Sequence, residues 1–139
     1  MSASRITVCL IDDHSVVRNG IRLMLSTESD IEVTGEARSA GEAIPLIQMR
    51  GFDVAILDIE LPDNNGLNLL KVLRKERPEM AILMFSMHSE DVYAERALRN
   101  GASGYLAKDC SIDTLVSAVR KIAGGGSISA PISRKSLQM

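Results

Sequence analysis

The sequence predicts an α/β fold: a doubly wound parallel sheet of five strands with five helices packed against it. Apolar runs of strand length alternate with segments whose apolar residues recur at helical spacing. Several runs are apolar at consecutive positions, as parallel strands covered on both faces are. The runs also end in polar or charged residues, which a parallel sheet gathers at one edge.

The elements follow in order. ITVCLI (6–11) is the first strand, and it stops at Asp12 and Asp13. Val16, Val17, Ile21, Met24 and Leu25 then form one expected helix face. IEVTGEA (31–37) is the second strand. Ser39, with Glu42 three residues on, fits a capping box that opens the second helix. Pro45 falls inside that helix and removes one backbone N–H, so a late start or a kink is expected. VAILDI (54–59) is the third strand, and Leu67, Leu70, Val72 and Leu73 give the third helix its apolar face. AILMFS (81–86) is the fourth strand. In RNGASG (99–104), Gly101 offers a stop for the fourth helix before the short fifth strand, SGYLA (103–107). Ile112, Leu115, Val116, Val119 and Ile122 carry the helical rhythm of the last helix. Right-handed crossovers connect such units. The end, AGGGSISAPISRKSLQM (123–139), has no apolar stripe. Residues 1–124 therefore read as one domain and 125–139 as a linker or tail.

Composition narrows the function. At 139 residues the chain is one domain, and 45% hydrophobic against 24% charged residues excludes a disordered class. A net charge of -2 argues against a nucleic-acid surface within the segment, and the absence of Trp argues against a base-stacking platform. No apolar stretch approaches the roughly 18 residues of a membrane span, and the N-terminus lacks the shape of a signal peptide. With two cysteines, too few for a disulfide framework, a cytoplasmic location is expected. Cys9 reads as a small buried hydrophobe and Cys110 as a free thiol.

The strand ends carry the chemistry. Asp12 and Asp13 end the first strand, Asp58 the third and Ser86 the fourth, and Lys108 follows the fifth. Three carboxylates against one ammonium leave two negative charges in one cleft. Repulsion between close carboxylates is on the order of several kcal/mol at an effective dielectric constant near 20. A divalent cation relieves it, and hard oxygen donors favour Mg²⁺. Metal, ammonium, hydroxyl and carboxylate nucleophile together suit phosphoryl transfer.

LIDD, VAILDIELPDNNG, the Ser86 that ends AILMFS, and GYLAKD together resemble the receiver domain of two-component response regulators. The resemblance spans residues 5–124. It implies a flavodoxin-like sheet of order 2-1-3-4-5, with Asp58 as phosphoacceptor. Asp12, Asp13, Asp58 and the backbone carbonyl of Glu60 would hold Mg²⁺. Lys108 would pair with a phosphoryl oxygen. Ser86 would be the switch hydroxyl and Tyr105 the switch aromatic that turns inward. The face made by the fourth helix, fifth strand and fifth helix would carry the signal. IDDHSVVRNGIRLML, VTGEARSAGEAI and RALRNGASGYLAKD resemble the NarL/FixJ class of transcriptional regulators. Its implied partners are a sensor histidine kinase and DNA, the latter through a C-terminal domain beyond this segment. A homodimer formed on phosphorylation is left open. Ser15, where the family often has proline after DDH, and Ala107 depart from the pattern without touching the phosphorylation groups.

Plainer roles exist for each residue. Asp12 could cap the first helix, and Tyr105 could be a core aromatic with a wet tip. His14 and His88 read as loop residues flanking the cleft rather than ligands; His88 and Glu60 are placed to affect hydrolysis of an acyl phosphate. A stand-alone receiver or phosphorelay protein would use the same site. VAILDIE also resembles the nucleophile strand of Mg²⁺-dependent phosphohydrolases of the haloacid dehalogenase type. That superfamily needs Asp-x-Asp, however, and Glu60 stands at the second position. The expected role is a signalling phosphoacceptor, not an enzyme with turnover.

Overall fold

The computed structural model describes residues 5–87 and 91–126. Strands β1 (Ile6–Ile11), β2 (Ile31–Ala37), β3 (Val54–Leu57), β4 (Ala81–Ser86) and β5 (Gly104–Ala107) alternate with five helices. These are α1 (Ser15–Ser26), α2 (Ala40–Met49), α3 (Gly66–Glu76), α4 (Asp91–Arg99) and α5 (Ile112–Ala123). The strands form one parallel sheet in the order β2-β1-β3-β4-β5. The chain steps outward from β1 to β2, then crosses back to β3. The order therefore reverses between the carboxyl ends of β1 and β3, where sheets of this kind bind ligands.

Side-chain alternation divides the core into two layers. Cys9 and Ile11 of β1 pack with residues of α2, α3 and α4. Val8 and Leu10 of the same strand pack with α1 and α5. β3 and β4 are buried at every position, because helices cover both of their faces. β2 is an edge strand with exposed and half-buried positions. Its register slips between Val8 and Cys9, so that Cys9 pairs with Gly35. A Cβ on Gly35 would lie 2.7 Å from the Phe52 ring.

Three apolar positions assigned to helix faces are exposed. Val16 is 81% exposed, since it lies about 100° around α1 from Val17. Val72 is 38% exposed, and Leu69 is fully buried in its place. Ile112 lies on the apolar face of α5 but in its first turn, and it is 49% exposed. The third strand also ends earlier than expected, at Leu57, because the chain turns away after Asp58.

Pro45 neither delays nor breaks α2, which runs from Ala40 to Met49. The first turn is held from two directions. Ser39 Oγ accepts from the Glu42 N–H at 3.2 Å, and the Asp63 carboxylate accepts from the Ala40 and Gly41 N–H groups at 2.9 Å each. The capping box is shifted by one residue: the Glu42 carboxylate accepts from the N–H of Arg38, not of Ser39. Gly101 ends α4 with a φ of 104°, a left-handed conformation that suits glycine. Its carbonyl accepts two hydrogen bonds from the Arg74 guanidinium, at 3.0 and 2.6 Å.

Candidate functional site

Strand register brings the acids together. Ile11 pairs with Leu57, so Asp12 and Asp58 leave the sheet side by side. The Asp58 N–H still donates to the Ile11 carbonyl at 3.0 Å. On the other side Leu57 pairs with Met84, and Ser86 pairs with Ala107, which places Lys108 one residue beyond. The Lys108 N–H donates to the Ser86 carbonyl at 2.8 Å. Asp12, Asp58 and Ser86 are the buried polar side chains of the described core.

Lys108 spans the two buried acids. Its Nζ lies 2.9 Å from Asp12 Oδ2 and 3.2 Å from Asp58 Oδ2. Burial works against the ammonium, but the hydrogen bond it donates to Asp12 and the charge of Asp58 outweigh it and raise the Lys108 pKa. Burial likewise opposes ionisation of Asp12. Hydrogen bonds from Lys108, the His14 N–H and the His14 ring win there, and the Asp12 pKa falls. Asp58 goes the other way. Its burial and the nearby Asp12 charge outweigh Lys108 and the Glu60 N–H, which donates from 3.3 Å. Its pKa is raised.

His14 takes a part that its position in the sequence did not reveal. Its Nδ1 lies 2.8 Å from Asp12 Oδ1 and 3.1 Å from Asp13 Oδ1. Its N–H also donates to Asp12 Oδ1 at 2.9 Å, a tight turn that launches α1. The hydrogen bond to Asp12 and the two carboxylate charges raise its pKa. His14 thus bridges the acidic doublet, while Lys108 bridges the first and third acids. The signal available in sequence was the i, i+2 spacing from Asp12, which suits such a turn.

The remaining residues fall as follows. Glu60 is exposed and forms an isolated bridge with Asn65 that closes the loop after Asp58. Tyr105 is 1% exposed and packs in the layer with α3 and α4. That is the inward position which the resemblance gives to the switched state. His88 lies outside the described residues. Gly66 opens α3 hard against the segment after β3: a Cβ there would lie 2.2 Å from the Asp58 carbonyl oxygen. Among the described residues no helix is long and apolar enough to cross a membrane.

Ligand atoms of Asp12, Asp13, His14 and Asp58 all lie within 4.8 Å of one another. The carboxylate oxygens fit a hard divalent cation. His14, expected to flank the cleft, stands within this cluster. Its Nδ1 is engaged by the Asp12 and Asp13 carboxylates.

Comparison with known proteins agrees with this geometry. Residues 8–120 match the model of the response regulator receiver domain family. The chain belongs to that family. It is 44% identical over 126 residues to the transcriptional regulatory protein UhpA of Escherichia coli K12, covering 91% of the chain and 63% of UhpA. It is 39% identical to the nitrate/nitrite response regulator NarL of the same organism, covering 86% and 55%. A LuxR-family two-component response regulator from Aurantimonas superposes with a TM-score of 0.87 at 32% identity, covering 97% of this chain and 94% of that one. The receiver domain of NarL from Mycobacterium tuberculosis gives 0.83 at 32% identity, covering 88% and 99%. The chain thus spans less than two thirds of the length of the curated relatives it matches. Membership places it among signalling receivers rather than phosphohydrolases. The acidic cluster matches the Mg²⁺-coordinating site of receiver domains.

Proposed function

We propose that Asp58 accepts a phosphoryl group from the phosphohistidine of a sensor kinase. The observation that carries this reading is the buried Lys108 ammonium bonded at once to Asp12 and Asp58. An Asp58 carboxylate oxygen attacks phosphorus, the phosphorus–nitrogen bond breaks, and imidazole departs. Asp12, Asp13, Asp58 and the Glu60 carbonyl would hold Mg²⁺, which neutralises charge on the phosphoryl oxygens when bound. Lys108 is close enough to exchange a carboxylate for a phosphoryl oxygen without leaving the cleft. Ser86, at the end of the adjacent strand, supplies the hydroxyl that reports the new group, and Tyr105 fills the space behind it. Burial raises the pKa of Asp58, which makes its carboxylate a better nucleophile than a solvated one.

Residues 1–124 act as the receiver, and 125–139 act as the connection toward a DNA-binding output region. The names of its relatives, transcriptional regulatory proteins, support that output for the whole protein. The face of α4, β5 and α5 would carry the signal.

Asp58→Asn tests the assignment. Acetyl phosphate with Mg²⁺ should phosphorylate the native chain and leave the variant unmodified on a phosphate-affinity gel. The variant should keep the native circular dichroism spectrum, because the residue lies just past a strand end. Undiminished phosphorylation of the variant would show that another residue is the acceptor.

A further inference from the structure

A second concentration of like charge lies away from the acidic cleft. Lys71 of α3 and Arg96 and Arg99 of α4 line one groove of about 390 Å³, together with Asn65, Asn68 and Asn100. The chain has a net charge of -2, so this groove runs against the average. None of the three cations forms an ion pair with a described residue. Several other basic side chains are committed. Arg18 and Arg22 meet Glu36, Arg38 meets Glu42, and Arg120 meets Glu28 and Asp30. Arg74 and Arg77 spend their donors on backbone carbonyls.

The helix dipole explains part of this. Arg96 and Arg99 stand in the last turn of α4, where a positive charge is favourable. It does not explain Lys71, which comes from the neighbouring helix and adds a third positive charge to the same groove. Like charges facing one another raise the energy of the free protein, and a ligand of opposite sign relieves it. The acidic cleft and its cation follow the same logic with the signs reversed.

The lining also indicates the kind of ligand. The three amides offer both donors and acceptors, and the groove is shallow and polar, where small-molecule sites are enclosed and mostly apolar. Its walls are α3 and α4, with exposed cations on both. We infer that this α3–α4 groove docks a carboxylate-rich peptide segment of a protein partner, with Lys71, Arg96 and Arg99 pairing its acids. Guanidinium groups suit that role, since each can take a carboxylate through two parallel hydrogen bonds.

Fluorescence anisotropy of a fluorescein-labelled octaglutamate peptide tests the inference on the full chain. Titration at low salt should saturate. Lys71→Gln/Arg96→Gln/Arg99→Gln should weaken binding by about tenfold or more, the scale of losing paired charges. Lys75→Gln/Lys121→Gln removes two exposed cations elsewhere and should change it little. All five side chains are exposed, so each variant should keep the native melting temperature. The single variants Arg96→Gln and Arg99→Gln, each with an intermediate loss, would confirm that the effect is local. Equal binding by the triple variant and the native chain would overturn the proposal. So would no saturation by the native chain, or tighter binding of a labelled single-stranded oligonucleotide of equal charge, which would assign the groove to nucleic acid.

Discussion

Asp12 and Asp58 are both buried and both bonded to Lys108, yet their pKa values move in opposite directions. The difference lies in the count of donors. Asp12 has Lys108 and two groups of His14, whereas Asp58 has Lys108 and one long bond from the Glu60 N–H. Their contributions to stability therefore have opposite signs. The lowered pKa of Asp12 stabilises the fold above its unfolded value, and that contribution is lost as pH falls through the folded value. The raised pKa of Asp58 contributes stability at low pH that is lost as pH rises through the folded value. Asp58→Asn should accordingly raise the melting temperature of the metal-free protein at about pH 7, and the gain should vanish below the carboxylate range. Asp12→Asn should lower it at about pH 7. Melting curves across that range check both signs. Lys108→Ala leaves two buried carboxylates facing each other without a cation. Its cost should be about 3 kcal/mol in urea denaturation without metal, as for other broken buried pairs. Added Mg²⁺ should return part of that loss, because it supplies the missing positive charge.

At the scale of the element, the loop between β3 and α3 is set by two close approaches. Gly66 brings the start of α3 against the Asp58 and Ile59 backbone, and its N–H donates to the Ile59 carbonyl at 2.5 Å. The neighbours are main-chain atoms that cannot rotate away. Gly66→Ala should therefore cost about 2 kcal/mol, as overpacking does, and weaken Mg²⁺ binding by displacing the loop. Asp63 fixes the same loop to the first turn of α2. Replacing it with alanine should speed hydrogen exchange at the Ala40 and Gly41 amides while leaving β1 and β3 protected. Such contacts mark where sequence reading ends. Strand and helix identities were legible because apolar spacing repeats over whole elements, and the Asp12, Asp13, Asp58 and Lys108 set was legible because parallel strands must end at one edge. The His14 bridge was not, since it depends on how one turn leaves β1. The intact α2 around Pro45 was not, since the bonds that hold its start come partly from Asp63, 23 residues away. Val16 shows the remaining kind of limit: an apolar residue in a helix need not lie on its buried face.

The whole molecule ties these scales together through the sheet. β1, β3 and β5 are distant in sequence, and each delivers charged groups to one edge of a core packed on both faces. A cation held by Asp12, Asp13 and Asp58 would join β1 to β3 at the point where the strand order reverses. It would bind only when the central sheet is formed, so its binding energy would add to global stability. By mass action, Mg²⁺ at a hundredfold excess over its dissociation constant should contribute about 2.7 kcal/mol. The melting temperature should rise steadily with Mg²⁺ concentration and return to its starting value on chelation. The slowest-exchanging amides should be those of β1 and β3, and Mg²⁺ should slow them further. Asp13→Asn should remove most of the Mg²⁺ response, since it deletes one of three carboxylates from a site whose affinity rests on their combined charge. It should not harm the metal-free fold, because it also removes repulsion from the doublet and leaves the Asp12–Lys108 bond in place. A melting temperature indifferent to Mg²⁺ in the native chain, or an Asp13→Asn variant with an unchanged Mg²⁺ response, would show that the acidic edge is not where the cation is held.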